Sequence, residues 1–319
     1  MKLFVTGGSG FVGGAVIGAL RDRHEILAMA RSEQAEEVTA ALGADPVRCS
    51  LEDVAASHLT GVEVVIHCAG YVHVWGPAET YHQAHVDGTR NVLAASLEAG
   101  VSRVVHISTE SVLFHGDHLR HMDETWPYPA SSPFPYSTTK AEAERIVLAA
   151  NGPAMETIVL RPVLIWGPGD RSYLPELTAM AEAGRFAWLD RGRHRVSPTH
   201  IDNLTHAIEL SLNGGRPGEV YFVTDLETPT QLDFATRYAA TAGVTLPSRS
   251  IPGWLARGLG AVAEGAWRVF RPGHEPPLSR FAAALLSREI TVSSDKAARE
   301  LGYEPVVTID EGMRRLMGG

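Results

Sequence analysis

The segment Lys2-Leu-Phe-Val-Thr-Gly-Gly-Ser-Gly-Phe-Val-Gly-Gly14 constrains the rest of the chain more than any other. Residues 2–6 are a short apolar run of strand type, and Ala15, Val16, Ile17, Ala19 and Leu20 begin a helical pattern. Between them Gly7, Gly10 and Gly13 fall at the spacing G-x-x-G-x-x-G. In a strand that turns tightly into a helix, the first glycine allows the turn. The second lets a pyrophosphate approach the backbone, and the third lets helix and strand pack closely. The helix start then offers free N–H groups and positive dipole to phosphate. A glycine triplet alone is a weak signal, because any tight turn favours glycine; its place directly after a strand gives it weight.

Apolar strand-like runs recur at 2–6, 25–30, 45–49, 62–68, 102–108, 156–161 and 219–224. Helical patterns lie between most of them, at 11–22, 33–42, 79–99, 136–150 and 201–212. Strands alternating with helices predict an α/β fold, a doubly wound parallel sheet of Rossmann type. Val62–Cys68 and Arg103–Ser108 are almost continuously apolar, as strands covered on both faces are. From about residue 167 the alternation loosens into Pro-, Gly-, Trp- and Arg-containing stretches with helical patterns. Residues 1–166 and 199–225 therefore read as a dinucleotide-binding domain. Residues 167–198 and 226–319 read as a smaller, mostly helical substrate lobe closing over the strand ends.

The charge, 28 basic against 37 acidic residues for a net −9, disfavours nucleic acid and anionic membrane surfaces as general partners. No uncharged apolar run reaches membrane-spanning length, and no leader precedes the glycine turn. The two cysteines, Cys49 and Cys68, read as buried thiols of a reducing compartment, with a disulfide as the alternative. The expectation is a soluble cytoplasmic protein.

A second constellation is Pro135-Tyr136-Ser137-Thr138-Thr139-Lys140, a Y-x-x-x-K pattern opening an alanine-rich helix. Tyr136, Lys140, Ala143 and Val147 share one face of that helix. A phenol is a poor acid at neutral pH, and a lysine beside it favours the phenolate by charge. Upstream, the strand at 102–108 ends in Ser108-Thr109-Glu110-Ser111, where a hydroxyl would orient a carbonyl beside Tyr136.

With these residues in place the chain resembles an extended short-chain dehydrogenase/reductase, similar to the 3β-hydroxysteroid dehydrogenase and sterol-4-carboxylate dehydrogenase branch. It also resembles bacterial reductases of long-chain 3-keto acids. The resemblance rests on Thr6–Gly13, Val86-Asp87-Gly88-Thr89-Arg90-Asn91-Val92, Ser108-Thr109, Glu124-Thr125-Trp126-Pro127, Tyr136 to Lys140 and Leu160–Asp170. It continues through Thr199-His200-Ile201-Asp202-Asn203 and Leu301-Gly302-Tyr303-Glu304-Pro305. It implies hydride transfer between a nicotinamide and a carbonyl or secondary alcohol of an apolar substrate. Thr109 and Tyr136 match the catalytic hydroxyls, with Lys140 holding ribose and lowering the tyrosine pKa. Gly7, Gly10, Phe11, Val12 and Gly13 would line the phosphates, Leu51, Ala69 and Gly70 the adenosine, and Ser108, Pro162 and Val163 the nicotinamide side. Relatives are often dimers through a bundle that would include helices 79–99 and 136–150.

Three departures from the family pattern stand out. His85 replaces the usual Asn, either supporting the helix by a hydrogen bond or lying at the surface. Cys49-Ser50-Leu51 replaces Gly-Asp-Leu near the adenine. Arg31, followed by Ser32, sits where an NAD binder has an acid for the ribose 2′-OH. A guanidinium suits a 2′-phosphate, so the reading favours NADP; Glu33, two residues on, keeps NAD open.

His115, His118 and His121 with Asp117 lie too irregularly to define a metal site, and none is assigned. Trp254, Leu255, Leu259, Val262, Ala266, Trp267 and Phe270 fall at helical spacing, interrupted by Arg257, Glu264 and Arg268. They predict an amphipathic helix, either buried on the lobe or walling an apolar substrate, with weak membrane-surface contact as a further use. Tyr71, Trp75, Ser111, Trp166 and Trp188 are the candidate substrate contacts. Two other readings stay open: a nucleotide-sugar epimerase or dehydratase holding NAD, and a cofactor-sensing regulator without turnover. An epimerase would favour an acid in place of Arg31. A regulator has no need of Thr109, Tyr136 and Lys140 together.

Overall fold

All seven apolar runs enter one parallel sheet. The computed structural model describes residues 1–73, 75–270, 276 and 278–318, without the side chains of 268–270. Its strands are β1 (Lys2–Thr6), β2 (Glu25–Ala30), β3 (Asp45–Arg48), β4 (Val64–His67), β5 (Arg103–Ile107), β6 (Leu119–Met122) and β7 (Glu156–Pro162). They continue with β8 (Ile165–Trp166), β9 (Trp188–Leu189), β10 (Thr199–His200), β11 (Glu219–Val223), β12 (Ser250–Ile251) and β13 (Ile290–Val292). The central sheet runs β11-β7-β5-β4-β1-β2-β3. The strand order reverses between β1 and β4, the place where such sheets open a crevice at their carboxyl ends. The remaining strands form three short ladders, β8 with β10, β9 with β12 and β6 with β13.

The helices are α1 (Phe11–Leu20), α2 (Glu33–Ala41), α3 (Ala78–His82), α4 (Gly88–Glu98), α5 (Pro135–Ala149) and α6 (Tyr173–Glu182). After them come α7 (Ile201–Ser211), α8 (Gln231–Thr241), α9 (Gly253–Phe270), α10 (Arg280–Leu286), α11 (Asp295–Leu301) and α12 (Ile309–Met317). Alternation along β1 decides which helices lie where. Leu3 and Val5 pack with Val16, Ile17 and Leu20 of α1 and Leu204 and Ile208 of α7. Phe4 faces the other way, into Val92 of α4 and Val147 of α5. Each fully buried side chain of this size stabilises the fold by about 1.5–3 kcal/mol. Cys49 and Cys68 are free thiols.

The helix expected at 79–99 is broken by a π turn, Gln83–Asp87, between α3 and α4. His85 sits in that turn and is buried, so it supports the helix from within. Its Nε2 accepts the Tyr71 N–H at 3.1 Å. The same nitrogen lies 3.1 Å from the Tyr71 carbonyl, and Nδ1 meets Thr139 Oγ1 of α5 at 2.8 Å. His67 makes a similar clamp, meeting Thr6 of β1 at 2.8 Å and Thr89 of α4 at 3.0 Å.

Beyond β7, Trp166, Phe234, Tyr238, Ile309 and Met313 form one cluster, and Leu177, Phe186, Trp188, Ala235 and Ala239 another. This corrects the reading of Trp166 and Trp188 as substrate contacts. Trp166 has no exposure, and its indole N–H donates to Asp225 at 2.7 Å. Trp188 is buried edge-on against Phe186, with ring centres 4.8 Å apart. The amphipathic helix is also turned about. α9 meets α10 through Ala256 and Gly260; a Cβ on Gly260 would lie 3.3 Å from the Ser279 carbonyl. So close an approach admits only small residues, and Trp254, Leu255, Leu259 and Val262 are left facing solvent rather than walling a pocket. Arg268 and Phe270 of that expected stripe lie outside the described side chains. No helix among the described residues is long and apolar enough to cross a membrane.

Burial pushes the His67 and His85 imidazoles down to about 3, with Lys140 adding repulsion, so both are neutral in the fold. The unfolded chain binds these protons at about pH 6.5. The stability they contribute is complete above that pH and is lost as pH falls toward the folded values. Between pH 7 and pH 5 each should cost about 2 kcal/mol. Urea unfolding at the two pH values checks this, and His67→Gln should narrow the difference.

Candidate active site

The glycine turn is as tight as its spacing requires. Gly7 has φ +71°, a conformation that favours glycine. A Cβ on Gly13 would lie 2.3 Å from the Gly7 carbonyl oxygen, so α1 reaches the end of β1 only because that position is bare. α1 begins at Gly10 with no side-chain cap and no acidic residue in its first turn. Its N–H groups are thus left for an anion. Ala69 follows β4 directly beneath, its N–H donating to Thr6 Oγ1 at 3.0 Å. Phe11 and Val12 are partly exposed at the helix start.

At the end of β5, Thr109 caps a single helical turn, Glu110–Leu113, by accepting the Ser111 N–H at 3.2 Å. Tyr136 and Lys140 stand one turn apart on α5, on the face that meets this turn. The Tyr136 phenol faces Thr109, near enough for that hydroxyl to draw its pKa down. Its pKa departs from the expectation. Burial and the nearby Glu110 push the phenol up, the Thr109 hydroxyl opposes them, and Lys140 does not offset them. The reason is where the ammonium goes: Lys140 Nζ donates to the Ile107 carbonyl at 2.9 Å. Burial draws the Lys140 amine itself down to about 8, against the pull of Glu144.

Glu144 was not singled out in the sequence, yet it organises this corner. It has no exposure and stands one turn past Lys140. Its oxygens accept Arg161 Nη2 and the Ser108 hydroxyl, each at 2.5 Å, Arg161 Nε at 3.0 Å and the Tyr128 hydroxyl. The Ser108 hydroxyl is thereby committed, and its N–H donates to the Leu160 carbonyl at 2.8 Å. The Val163 N–H likewise goes to Thr199 Oγ1 at 3.2 Å, beside Pro162. A charge eight residues past Tyr136, on an otherwise apolar helix face, was the available signal for Glu144.

Arg31 is exposed at the end of β2 and makes no ion pair among the described residues. Ser32 accepts the Ala35 N–H at 3.2 Å as the cap of α2. Leu51 packs on Gly88, where a Cβ would lie 2.9 Å from it, and Gly70 is exposed beside His85. Tyr71 and Trp75 are partly exposed, and the Tyr71 hydroxyl donates to the Trp75 carbonyl at 3.3 Å. Ser111 is buried, and its hydroxyl donates to Glu110 at 3.0 Å. Two aromatic neighbours of Tyr136 escaped the sequence reading: Tyr81 at 6.3 Å and Phe281 of α10 at 5.5 Å between ring centres. So did Arg171, whose guanidinium donates to the Ser9 carbonyl at 3.0 Å. His118 accepts the Glu289 N–H at 3.0 Å, and His115 lies 3.4 Å from Asp117.

A glycine turn and a Tyr–Lys helix at the carboxyl edge of one parallel sheet define a nucleotide-dependent oxidoreductase of the doubly wound class. The comparisons agree. The profile of the 3-beta hydroxysteroid dehydrogenase/isomerase family matches residues 4–252. A ketoreductase of Stigmatella aurantiaca acting on 4-hydroxy-2-methyl-3-oxo-4-farnesyl-3,4-dihydroquinoline-1-oxide is 40% identical over 99% of this chain and 96% of its own. A 2-alkyl-3-oxoalkanoate reductase of Stenotrophomonas maltophilia is 38% identical over 99% and 98%. Among solved structures, MoeE5 with UDP-glucuronic acid and NAD superposes with a TM-score of 0.75 at 21% identity, covering 98% of this chain and 97% of that one, a likeness of fold. The chain belongs to the 3-beta hydroxysteroid dehydrogenase/isomerase family. It is an oxidoreductase acting on CH–OH and C=O groups.

Glu144→Ala would strand the Arg161 guanidinium, which is 3% exposed. Removing one partner of a buried pair costs roughly 3–5 kcal/mol. Urea unfolding should show that loss, with part of it restored in Glu144→Ala/Arg161→Met.

Proposed function

We propose that this protein is an NADP-preferring ketoreductase that reduces a carbonyl of an apolar substrate, steroid-like or a long-chain 3-keto acid, to a secondary alcohol. The observation that carries the reading is that Tyr136 faces Thr109 at the end of β5, with Lys140 one turn away. The substrate class rests on the names of the relatives and on the aromatic ring set around Tyr136. Residues 1–166 and 199–225 would hold the nucleotide, and 167–198 with 226–319 the substrate. The placement of Phe281 against Tyr136 supports that division.

The residues present fit a dinucleotide. The contacts that a Cβ would make at Gly7 and Gly13 mark a backbone cradle, and the uncapped start of α1 faces it. Gly7, Gly10, Phe11, Val12 and Gly13 would hold the phosphates, Leu51, Ala69 and Gly70 the adenosine, and Lys140 the ribose. Arg31 and Ser32 would meet a 2′-phosphate. When bound, the reduced nicotinamide supplies the hydride that the carbonyl carbon takes. Thr109 and Tyr136 direct their hydroxyls at the carbonyl oxygen and stabilise the charge developing there. Tyr136 passes its proton to that oxygen, and in the reverse direction takes one back. Burial keeps the phenol protonated at neutral pH, which suits a donor and hence reduction. Lys140 keeps a positive charge behind the pair below about pH 8.

Assayed on 3-keto acids of increasing chain length, the wild-type kcat/KM should rise with apolar size. Tyr136→Phe should lower kcat by about 10²-fold or more on every member while NADPH affinity holds. A near-normal rate in that variant defeats the assignment. Arg31→Glu should weaken NADPH roughly tenfold or more and spare NADH, as read by fluorescence titration; equal effects on both point away from a 2′-phosphate contact.

A further inference from the structure

A second buried glutamate lies beside the reacting hydroxyls, and the reaction as described makes no use of it. Glu110 follows Thr109 and is 6% exposed. Its Oε2 lies 2.7 Å from Thr109 Oγ1, and its Oε1 lies 3.0 Å from Ser111 Oγ. Among the described residues no lysine, arginine or histidine forms an ion pair with it, whereas Glu144 has Arg161. Of α5, the helix packed against this turn, Tyr136 feels its charge, and Lys140 and Glu144 follow on the same stripe. Lys140 is engaged by the Ile107 carbonyl, and Arg161 by Glu144. A charged Glu110 is therefore a buried anion held only by hydrogen bonds, and burial pushes its carboxyl above the ordinary range.

The charge of Glu110 decides which hydrogen-bond patterns fit these distances. An ionised carboxylate only accepts. The single Thr109 hydrogen then points to Oε2, and Thr109 has nothing to give to a carbonyl oxygen. A carboxyl protonated on Oε2, the oxygen with the shorter hydroxyl contact, reverses the bond and donates to Thr109 Oγ1. That oxygen already accepts the Ser111 N–H at 3.2 Å, so both its lone pairs are filled. The Thr109 hydrogen must then point away from Glu110, to the side where Thr109 meets the Tyr136 phenol.

We propose that Glu110 is a positioning residue for the reduction: in its protonated form it turns the Thr109 hydroxyl hydrogen toward the oxygen being reduced, and in its ionised form it takes that hydrogen back. The proposal rests on the reading of Thr109 and Tyr136 as the pair that binds the carbonyl oxygen. Glu110 keeps its own proton throughout; the proton that enters the product comes from Tyr136.

The test compares kcat for reduction against pH in the wild type, Glu110→Gln and Glu110→Ala, with near-UV circular dichroism to establish that each variant is folded. The glutamine amide donates to Thr109 and does not ionise. The wild type should lose kcat as Glu110 ionises with rising pH, with the nucleotide KM unchanged. Glu110→Gln should lack that limb and stay within about 3-fold of the low-pH wild-type rate, and Glu110→Ala should fall roughly 10-fold at every pH. Coincident wild-type and Glu110→Gln profiles, or a wild-type kcat in Glu110→Ala, overturn the proposal. An infrared readout is independent of turnover: the C=O stretch of a protonated carboxyl should be present in the wild type and missing in Glu110→Gln, and its absence from the wild type also overturns it. Thr109→Ala separates the two readings. A normal rate there removes the reacting pair itself. An impaired rate together with coincident pH profiles removes only the role of Glu110.

Discussion

One buried carboxylate sets the geometry of the reacting corner. Glu144 joins three separate parts of the chain: Ser108 at the end of β5, Arg161 near the end of β7, and Tyr128 in the segment leading to α5. Tyr136, Lys140 and Glu144 are four residues apart, so they share one stripe of α5. Fixing Glu144 against Arg161 fixes the rotation of that stripe, and the phenol and the ammonium then face the end of β5. A buried ion pair is poor evidence of added stability, since desolvation consumes most of the attraction. Its contribution here is orientation. The same carboxylate also sustains the charge on Lys140, whose burial works the other way.

Much of the architecture could be read directly because it rests on short-range pattern. Inner strands of the central sheet such as β4 and β5 are buried on both faces, and helices α1, α2, α4, α5 and α7 fall between the strands. Tyr136 and Lys140 were legible for the same reason, since a spacing of four on a helix is a statement about direction. The three small ladders were not, because a strand of two residues such as Ile165–Trp166 carries no period. α12 opens with a capping signal, Thr308 accepting the Glu311 N–H, but its apolar stripe is short and its partners lie far away in sequence.

The site was less legible wherever its chemistry depends on what lies across space. The tryptophans show it: their type said aromatic, and only packing said that Trp166 points into a closed cluster beside Asp225. On α9 the contact side was chosen by the smallest residues rather than the most apolar ones. The protonation of Tyr136 followed a similar course. Helical spacing brings Lys140 close, yet the carbonyl of Ile107 takes its ammonium, and Glu110, in its ionised form, pushes the phenol up. Neither partner is near Tyr136 in the chain.

The bond from Arg171 to the Ser9 carbonyl spans two regions that the order of the chain keeps apart, the glycine turn and the stretch leading to α6. Any change that occupancy of one region makes in this contact is felt at the other, and thermodynamics requires the influence to be mutual. Its reach is bounded by its strength: a hydrogen bond at an exposed position is worth about 1 kcal/mol, so the crosstalk amounts to a few-fold in affinity.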